Sequence, residues 1–90
     1  MSDPFAGFLS QVVVLDTGGP IVYVGRLVDA NDAGFVLEDA DVHDCRDGHA
    51  TAEEYVNACR AQGVSKNRRR VLVMRSAVVS VSRLEDVVEE

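Results

Sequence analysis

Valine is the residue that most constrains how this chain folds. Seventeen of the 90 residues are valine, against six leucines and one isoleucine. The branched valine side chain is stiff and favours strands over helices, so an all-helical bundle is excluded. With 47% apolar and 27% charged residues, the chain has ordinary globular composition. Ninety residues predict a single domain, 1–90, with a modest core.

Turn signals divide the valine-rich chain into five predicted strands. Gly18-Gly19-Pro20 separates the first strand from the second, and Asn31-Asp32-Ala33-Gly34 has the chemistry of a hairpin turn. A glycine inside the second strand, Gly25, predicts a bulge or sharp bend. Five strands of this length bury a core best by bending into a small barrel. The predicted strands cover residues 11–17, 21–30, 35–41, 71–74 and 78–83. The first three belong to segment 11–41 and the last two to segment 68–84.

Two helices are predicted outside the strands. Ser2-Asp3-Pro4 resembles a helix start and predicts a short N-terminal helix over residues 1–10. Thr51 and Glu54 have capping-box spacing, and Gly63 is a suitable C-terminal stop. This second helix belongs to a loop and helical insert, 42–67, between the third and fourth strands, and residues 85–90 form an acidic tail. The predicted apolar face of this second helix consists of Ala52, Tyr55, Val56 and Cys59.

Charge is unevenly distributed along the chain. The net charge is −6, which excludes a uniformly basic nucleic-acid-binding surface. However, seven cations and no acids lie between residues 60 and 84, whereas eleven of the fifteen acids precede Tyr55. An acidic protein with one positive face is therefore expected.

The N-terminal sequence and the two cysteines predict a cellular location. No basic region followed by an apolar run opens the chain, and no apolar stretch approaches the length of a membrane span. Cys45 and Cys59 are too few for a disulfide framework. The expectation is a cytoplasmic protein with reduced thiols and no membrane partner.

Two segments carry a resemblance to a known family. Residues 25–29 (GRLVD) followed by 34–40 (GFVLEDA) resemble the first signature of the Sm-like (LSm) proteins, with a glycine at the bend of the second strand. Residues 71–76 (VLVMRS) resemble the second signature, an apolar strand ending in Arg-Gly. The similarity extends over residues 9–84, including the order of the five strands.

The resemblance implies a mainly β fold, a strongly bent five-stranded antiparallel small barrel with a short N-terminal helix and a helical insert between strands 3 and 4. It also implies a homo-oligomeric ring of six or seven subunits, in which the fourth strand of one subunit pairs with the fifth strand of the next. The family binds single-stranded RNA, often rich in uridine, at the pore. The corresponding loops are residues 31–34 and 74–77.

The pore loops depart from the family pattern. Gly34 stands where the family has a base-reading asparagine, and Ala33 where it has a stacking residue. Asp32 is the nearest match to the family aspartate, in a loop one residue shorter. Arg75 matches the family arginine, while Ser76 replaces a glycine. Because base stacking contributes about 1–3 kcal/mol per base, these losses predict a weakened uridine pocket.

Each candidate cation has two interpretations. Arg75 either binds a nucleotide at the pore or forms a structural pair with Asp32 or Asp39. Arg68 and Arg70, which share one face of a strand, either contact phosphates or belong to a solvated charge run.

Metal and catalytic sites are not expected. His43, Cys45, His49 and Cys59 are ligand types for zinc, but their spacing matches no standard site. Asp39, Asp41, Asp44 and Asp47 lack the pattern of a calcium loop. No phosphate-binding glycine loop, catalytic triad or redox motif is present, so no cofactor and no enzymatic activity are predicted.

Two functions from different classes follow. The first is a ring-forming Sm-like protein that binds RNA or serves a ribonucleoprotein assembly with weak sequence selectivity. Its predicted contacts are Arg75, Ser76, Asp32, Ala33, Gly34, Arg68 and Arg70. The second is an oligomeric scaffold that binds proteins and has lost RNA binding, which Ala33, Gly34 and the acidic composition favour.

Overall fold

The computed structural model describes residues 3–47 and 51–88 of the chain. Five antiparallel strands form one sheet in the order β4-β3-β2-β1-β5. Helix α1 follows β3 and precedes β4. The strands are β1 (Val12–Asp16), β2 (Ile21–Ala30), β3 (Gly34–Asp44), β4 (Arg68–Met74) and β5 (Ser80–Arg83), and the helix is α1 (Ala52–Gln62).

Two strands are longer than predicted. β3 continues to Asp44 because its second half pairs with the first half of β2, where Ile21 lies opposite Asp44. β4 begins at Arg68, three residues before the predicted start at Val71, because Arg68 and Arg70 pair with Ala40 and Glu38 of β3. Opposite charges across the two strands stabilise this pairing. Tertiary pairing therefore overrides the weak strand preference of charged residues.

The predicted N-terminal helix is wrong. Residues 4–10 form consecutive turns, in which Leu9 N donates to Phe5 O as the one α-type bond, at 3.2 Å. A segment this short cannot offset the cost of helix nucleation. Packing holds it instead, since Phe5 and Phe8 lie against the core and Ser10 N donates to Leu27 O at 2.7 Å.

Gly25 lies at a close approach between β2 and β3. A Cβ atom at this position would lie 2.7 Å from Ala40 Cβ and 2.9 Å from Ala40 Cα. The register of the β2–β3 pair shifts between Val24 and Arg26, and Asp39 adopts a φ of 51° nearby. The bulge predicted from this glycine is confirmed, and it lets both strands change direction.

The core has two parts, one on each face of the sheet. On one face, the larger cluster contains residues from strands β1, β2, β3 and β4. Its buried members are Val13, Leu15, Leu27, Phe35, Leu37, Ala40 and Val73. On the other face Val14, Val22 and Val24 pack beneath Val56 and Cys59 of α1. Alternation along β1 divides its three buried residues between the clusters.

Both ends of α1 have the predicted caps. Thr51 Oγ1 accepts from Glu54 N at 3.2 Å and donates to Glu54 Oε1 at 3.1 Å. Gly63 ends the helix with φ 89°, and its N–H donates to Cys59 O at 2.8 Å. Local side-chain chemistry is sufficient to define these boundaries.

Candidate nucleic-acid interface

The two predicted pore loops meet at one end of the sheet. Gly34 at the start of β3 pairs with Met74 at the end of β4. Arg75 N donates to Ala33 O at 3.0 Å, which ties the second loop to the first. Asp32, Ala33 and Ser76 are exposed around this junction. The geometry therefore brings together five of the seven residues proposed from sequence.

Asn31 closes the first loop. Its backbone N donates to Gly34 O at 2.9 Å, and its side-chain Oδ1 accepts from Ala33 N at 2.8 Å. Its Nδ2 donates to Asp29 Oδ2 at 2.8 Å. An asparagine is thus present in this loop, but its amide is engaged by the turn. It does not replace the base-reading asparagine of the family pattern.

Arg75 is held by neutral partners. Arg75 Nε donates to Asn31 O at 3.1 Å, and its guanidinium carbon lies 5.3 Å from the centre of the Phe5 ring and 5.5 Å from that of Phe35. These distances fall within the range of cation–π attraction. Asp39, one of the two acids considered as its partner, instead lies 3.7 Å from Lys66 Nζ. Arg75 therefore keeps its positive charge available beside the first loop.

Arg68 and Arg70 lie on β4, away from this junction. Arg70 Nη1 contacts Glu38 Oε2 at 2.6 Å, and Arg26 Nη2 contacts the other oxygen of the same carboxylate at 2.9 Å. Arg68 Nη1 donates to Asn67 O at 2.9 Å. Because strands rise about 3.3 Å per residue, the five residues from Arg70 to Arg75 separate their backbones by roughly 16 Å. The structure places these arginines in a second region.

Phe5 and Phe35 were not predicted from sequence as parts of this region. Their rings meet edge to face, with centroids 5.4 Å apart and an interplanar angle of 72°. Phe35 is buried, 3% exposed, whereas Phe5 is half-buried at the surface. The aromatic residue near the N-terminus was visible in the sequence, but nothing local connected it to Arg75.

His43 on β3 and Cys59 on α1 form packing contacts between the sheet and the helix. His43 stacks on Tyr55 with ring centroids 4.0 Å apart, and Tyr55 Oη donates to Asp41 Oδ2 at 2.6 Å. Burial and the Asp41 carboxylate raise the pKa of Tyr55, and burial raises the pKa of the Cys59 thiol. Both groups therefore stay protonated at neutral pH, so Cys59 behaves as a small apolar residue.

The acidic loop likewise has a structural explanation. Arg46 donates to Asp44 through its side chain and its backbone N–H, and these bonds lower the pKa of Asp44 to about 2. Among residues 3–47 and 51–88, no group of three or more His, Cys, Asp or Glu side chains could hold a metal ion. His49, one of the residues considered for zinc, lies outside the described residues. Within the same residues, no helix is long and apolar enough to cross a membrane.

Comparison with solved structures identifies the fold. The chain is similar to the Sm protein of Pyrococcus abyssii, solved in complex with a uridine heptamer, with a TM-score of 0.61 and 17% sequence identity. The similarity covers 91% of this chain and 99% of that protein. No family model matches the sequence, and no curated protein matches it. The chain has an Sm-like fold, as the two sequence segments indicated.

Proposed function

We propose that this protein binds single-stranded RNA at the junction of residues 31–34 and 74–77, with little preference among bases. The observation that carries the proposal is the placement of Arg75. The guanidinium lies beside the first loop and is held by a carbonyl and two aromatic rings, and within residues 3–47 and 51–88 it forms no ion pair with an acid. A fixed cation at an exposed loop can bind a phosphate or the hydrogen-bonding edge of a base.

Weak base selectivity follows from the first loop. Ala33 offers only a methyl group for stacking, Gly34 has no side chain, and the Asn31 amide is engaged in the turn. Asp32 and Ser76 are exposed and supply a carboxylate and a hydroxyl near Arg75. Contacts with the phosphate backbone then dominate binding, and such contacts weaken as salt rises.

Arg68 and Arg70 have unequal roles in this proposal. Glu38 pairs with Arg70 at 2.6 Å but also pairs with Arg26 at 2.9 Å, so this group keeps one net positive charge and Arg70 contributes less to phosphate binding than an arginine without an acidic partner. Arg68 is exposed and donates to the carbonyl of its neighbour Asn67, and it would extend the positive surface along β4. We propose that Arg75 acts in binding, because an arginine stays positively charged and donates hydrogen bonds without exchanging its proton.

The assembly that suits this function is a ring of strongly bent barrels. β4 and β5 are the two edges of the sheet, and unpaired edges invite pairing with another copy. Head-to-tail pairing of β4 with β5 satisfies both edges when the rotation closes. A ring would repeat Arg75 once per subunit, which multiplies the contribution of a weak contact.

Fluorescence anisotropy with labelled uridine and adenosine heptamers tests the RNA proposal. We expect affinity for both to fall by one to several orders of magnitude between about 50 and about 200 mM salt. Arg75→Ala should abolish binding of both heptamers. Arg46→Ala, which removes a cation at the far end of β3 where Arg46 pairs with Asp44 at 2.6 Å, is the matched control and should bind like wild type.

Two outcomes would contradict this account. Tight, uridine-selective binding that survives 200 mM salt would show that another group reads the base. Absence of binding at any salt would favour the second candidate, an oligomeric scaffold for protein partners. The observation in its favour is the exposed apolar surface of β4, where Leu72 is 48% and Met74 is 55% exposed.

A further inference from the structure

The Arg75 guanidinium is in contact with a segment distant from it in the chain. Its carbon lies 5.3 Å from the centre of the Phe5 ring, in the turns that precede β1. The second ring, Phe35, belongs to the buried core. Arg75 is thus flanked by one aromatic ring that the sheet fixes and one that the N-terminal segment supplies.

Phe5 is itself held in place. Its backbone N–H donates to Asp3 Oδ1 at 2.9 Å, and its carbonyl accepts from Phe8 N at 2.9 Å and Leu9 N at 3.2 Å. Its ring meets Phe35 edge to face at 5.4 Å. A ring fixed by its own backbone and by a core residue can restrict a neighbouring side chain.

These contacts leave the hydrogen-bonding capacity of Arg75 largely unused. A cation–π contact is an attraction between the positive charge and the face of the ring. The N–H groups of a guanidinium lie in the plane of the guanidinium and are not used by that contact. Arg75 Nε donates to Asn31 O. Within residues 3–47 and 51–88, neither terminal nitrogen of Arg75 forms a hydrogen bond or an ion pair. A groove of about 340 Å³ is lined in part by Phe5, Phe35 and Arg75.

We propose that Phe5 is a positioning residue for Arg75, holding the guanidinium in the orientation that binds an RNA phosphate. This inference rests on the proposed RNA function. An unrestrained arginine loses side-chain freedom when it binds, and a preorganised one has already lost it. The N-terminal segment therefore contributes to affinity without touching RNA.

The test is a double-mutant cycle measured with the uridine heptamer at low salt. Phe5→Leu keeps apolar volume but removes the ring, and we expect it to weaken binding roughly three- to tenfold, the range for one ordered side chain. Phe5→Trp retains an aromatic ring and should restore most of the affinity. Tyr23→Leu, which removes a half-buried ring of β2 that packs on the same core cluster, is the matched control and should bind like wild type.

Arg75→Lys provides the second background. Lysine retains the charge, and with it measurable binding, but lacks the planar fork. If Phe5 acts through the guanidinium, Phe5→Leu should have little further effect in this background. An equal loss in both backgrounds, or no loss in wild type, would overturn the positioning role. If Arg75→Ala itself leaves RNA binding unchanged, the proposed function fails, whatever Phe5 does.

Discussion

Gly34 shows how a single residue limits what the candidate interface can recognise. A Cβ atom at this position would lie 2.1 Å from Val73 O and 3.0 Å from Arg75 N. Backbone of the adjacent strand fills the space that any side chain would need, and backbone cannot move aside as a flexible side chain can. Gly34, for which the resemblance predicts a base-reading asparagine in the family, therefore leaves no room for an asparagine side chain.

We expect Gly34→Ala to lower the free energy of unfolding by about 3 kcal/mol, because a methyl group would force β3 and β4 apart where they pair. Gly7→Ala is the matched control, since nothing lies within 4 Å of a Cβ atom there, and it should change stability by less than about 0.5 kcal/mol. Thermal melting followed by circular dichroism measures both. A Gly34→Ala protein with wild-type stability would show that β4 is not held at this distance.

At the scale of elements, α1 covers one face of the sheet through a narrow apolar side. Val56 is 8% and Cys59 is 5% exposed, and both pack on Val14, Val22 and Val24. Helices this short owe most of their stability to tertiary packing rather than to propensity. Removal of the apolar side should therefore release the helix from the sheet.

Val56→Asp tests this packing. A buried carboxylate without a partner costs several kcal/mol, so we expect a loss of about 3 kcal/mol or more in the free energy of unfolding, with reduced helicity. Ala58→Asp places the same side chain on the exposed side of α1 and should cost less than about 1 kcal/mol, mostly through helix propensity. Equal melting curves for the two variants would contradict the packing of α1 against the sheet.

For the whole molecule, the distribution of charge along the two sheet edges bears on assembly. β4 opens with Arg68-Arg69-Arg70, whereas Glu85 and Asp86 follow β5 and pair with Arg83, its last residue, at 3.5 and 2.8 Å. If β4 of one copy pairs antiparallel with β5 of the next, the start of β4 meets the end of β5. Two acids and one arginine then give that end a net negative charge opposite the three arginines of β4, which favours association of unlike edges.

We expect light scattering at micromolar concentration to show a species several times the 9.8 kDa of one chain. Raising the salt concentration should shift the population toward smaller species, because exposed charge pairs are screened. The charge-reversed variant Arg69→Glu should dissociate at lower salt than wild type, while Arg46→Ala, outside both edges, should not. A monomer under all conditions would exclude the ring.

The boundaries set by local chemistry could be predicted from the sequence. Glycine and asparagine turns separated β1 from β2 and β2 from β3, and Thr51 and Gly63 marked the ends of α1. Gly25 predicted the bulge between β2 and β3. Each of these signals acts through neighbouring residues or through the steric freedom of one backbone position, so it can be read from a single chain.

The remaining features depend on contacts between segments far apart in the chain, which leave no local signal. Pairing with β2 extends β3 beyond its predicted bounds, and pairing with β3 does the same for β4. Packing against the core holds residues 4–10 as turns, where a helix was predicted. Glu38 pairs with Arg70, while Phe5 and Phe35 flank Arg75. Composition placed the cations in one stretch of sequence, but which cation stays available for a ligand depends on the partners that folding brings to it.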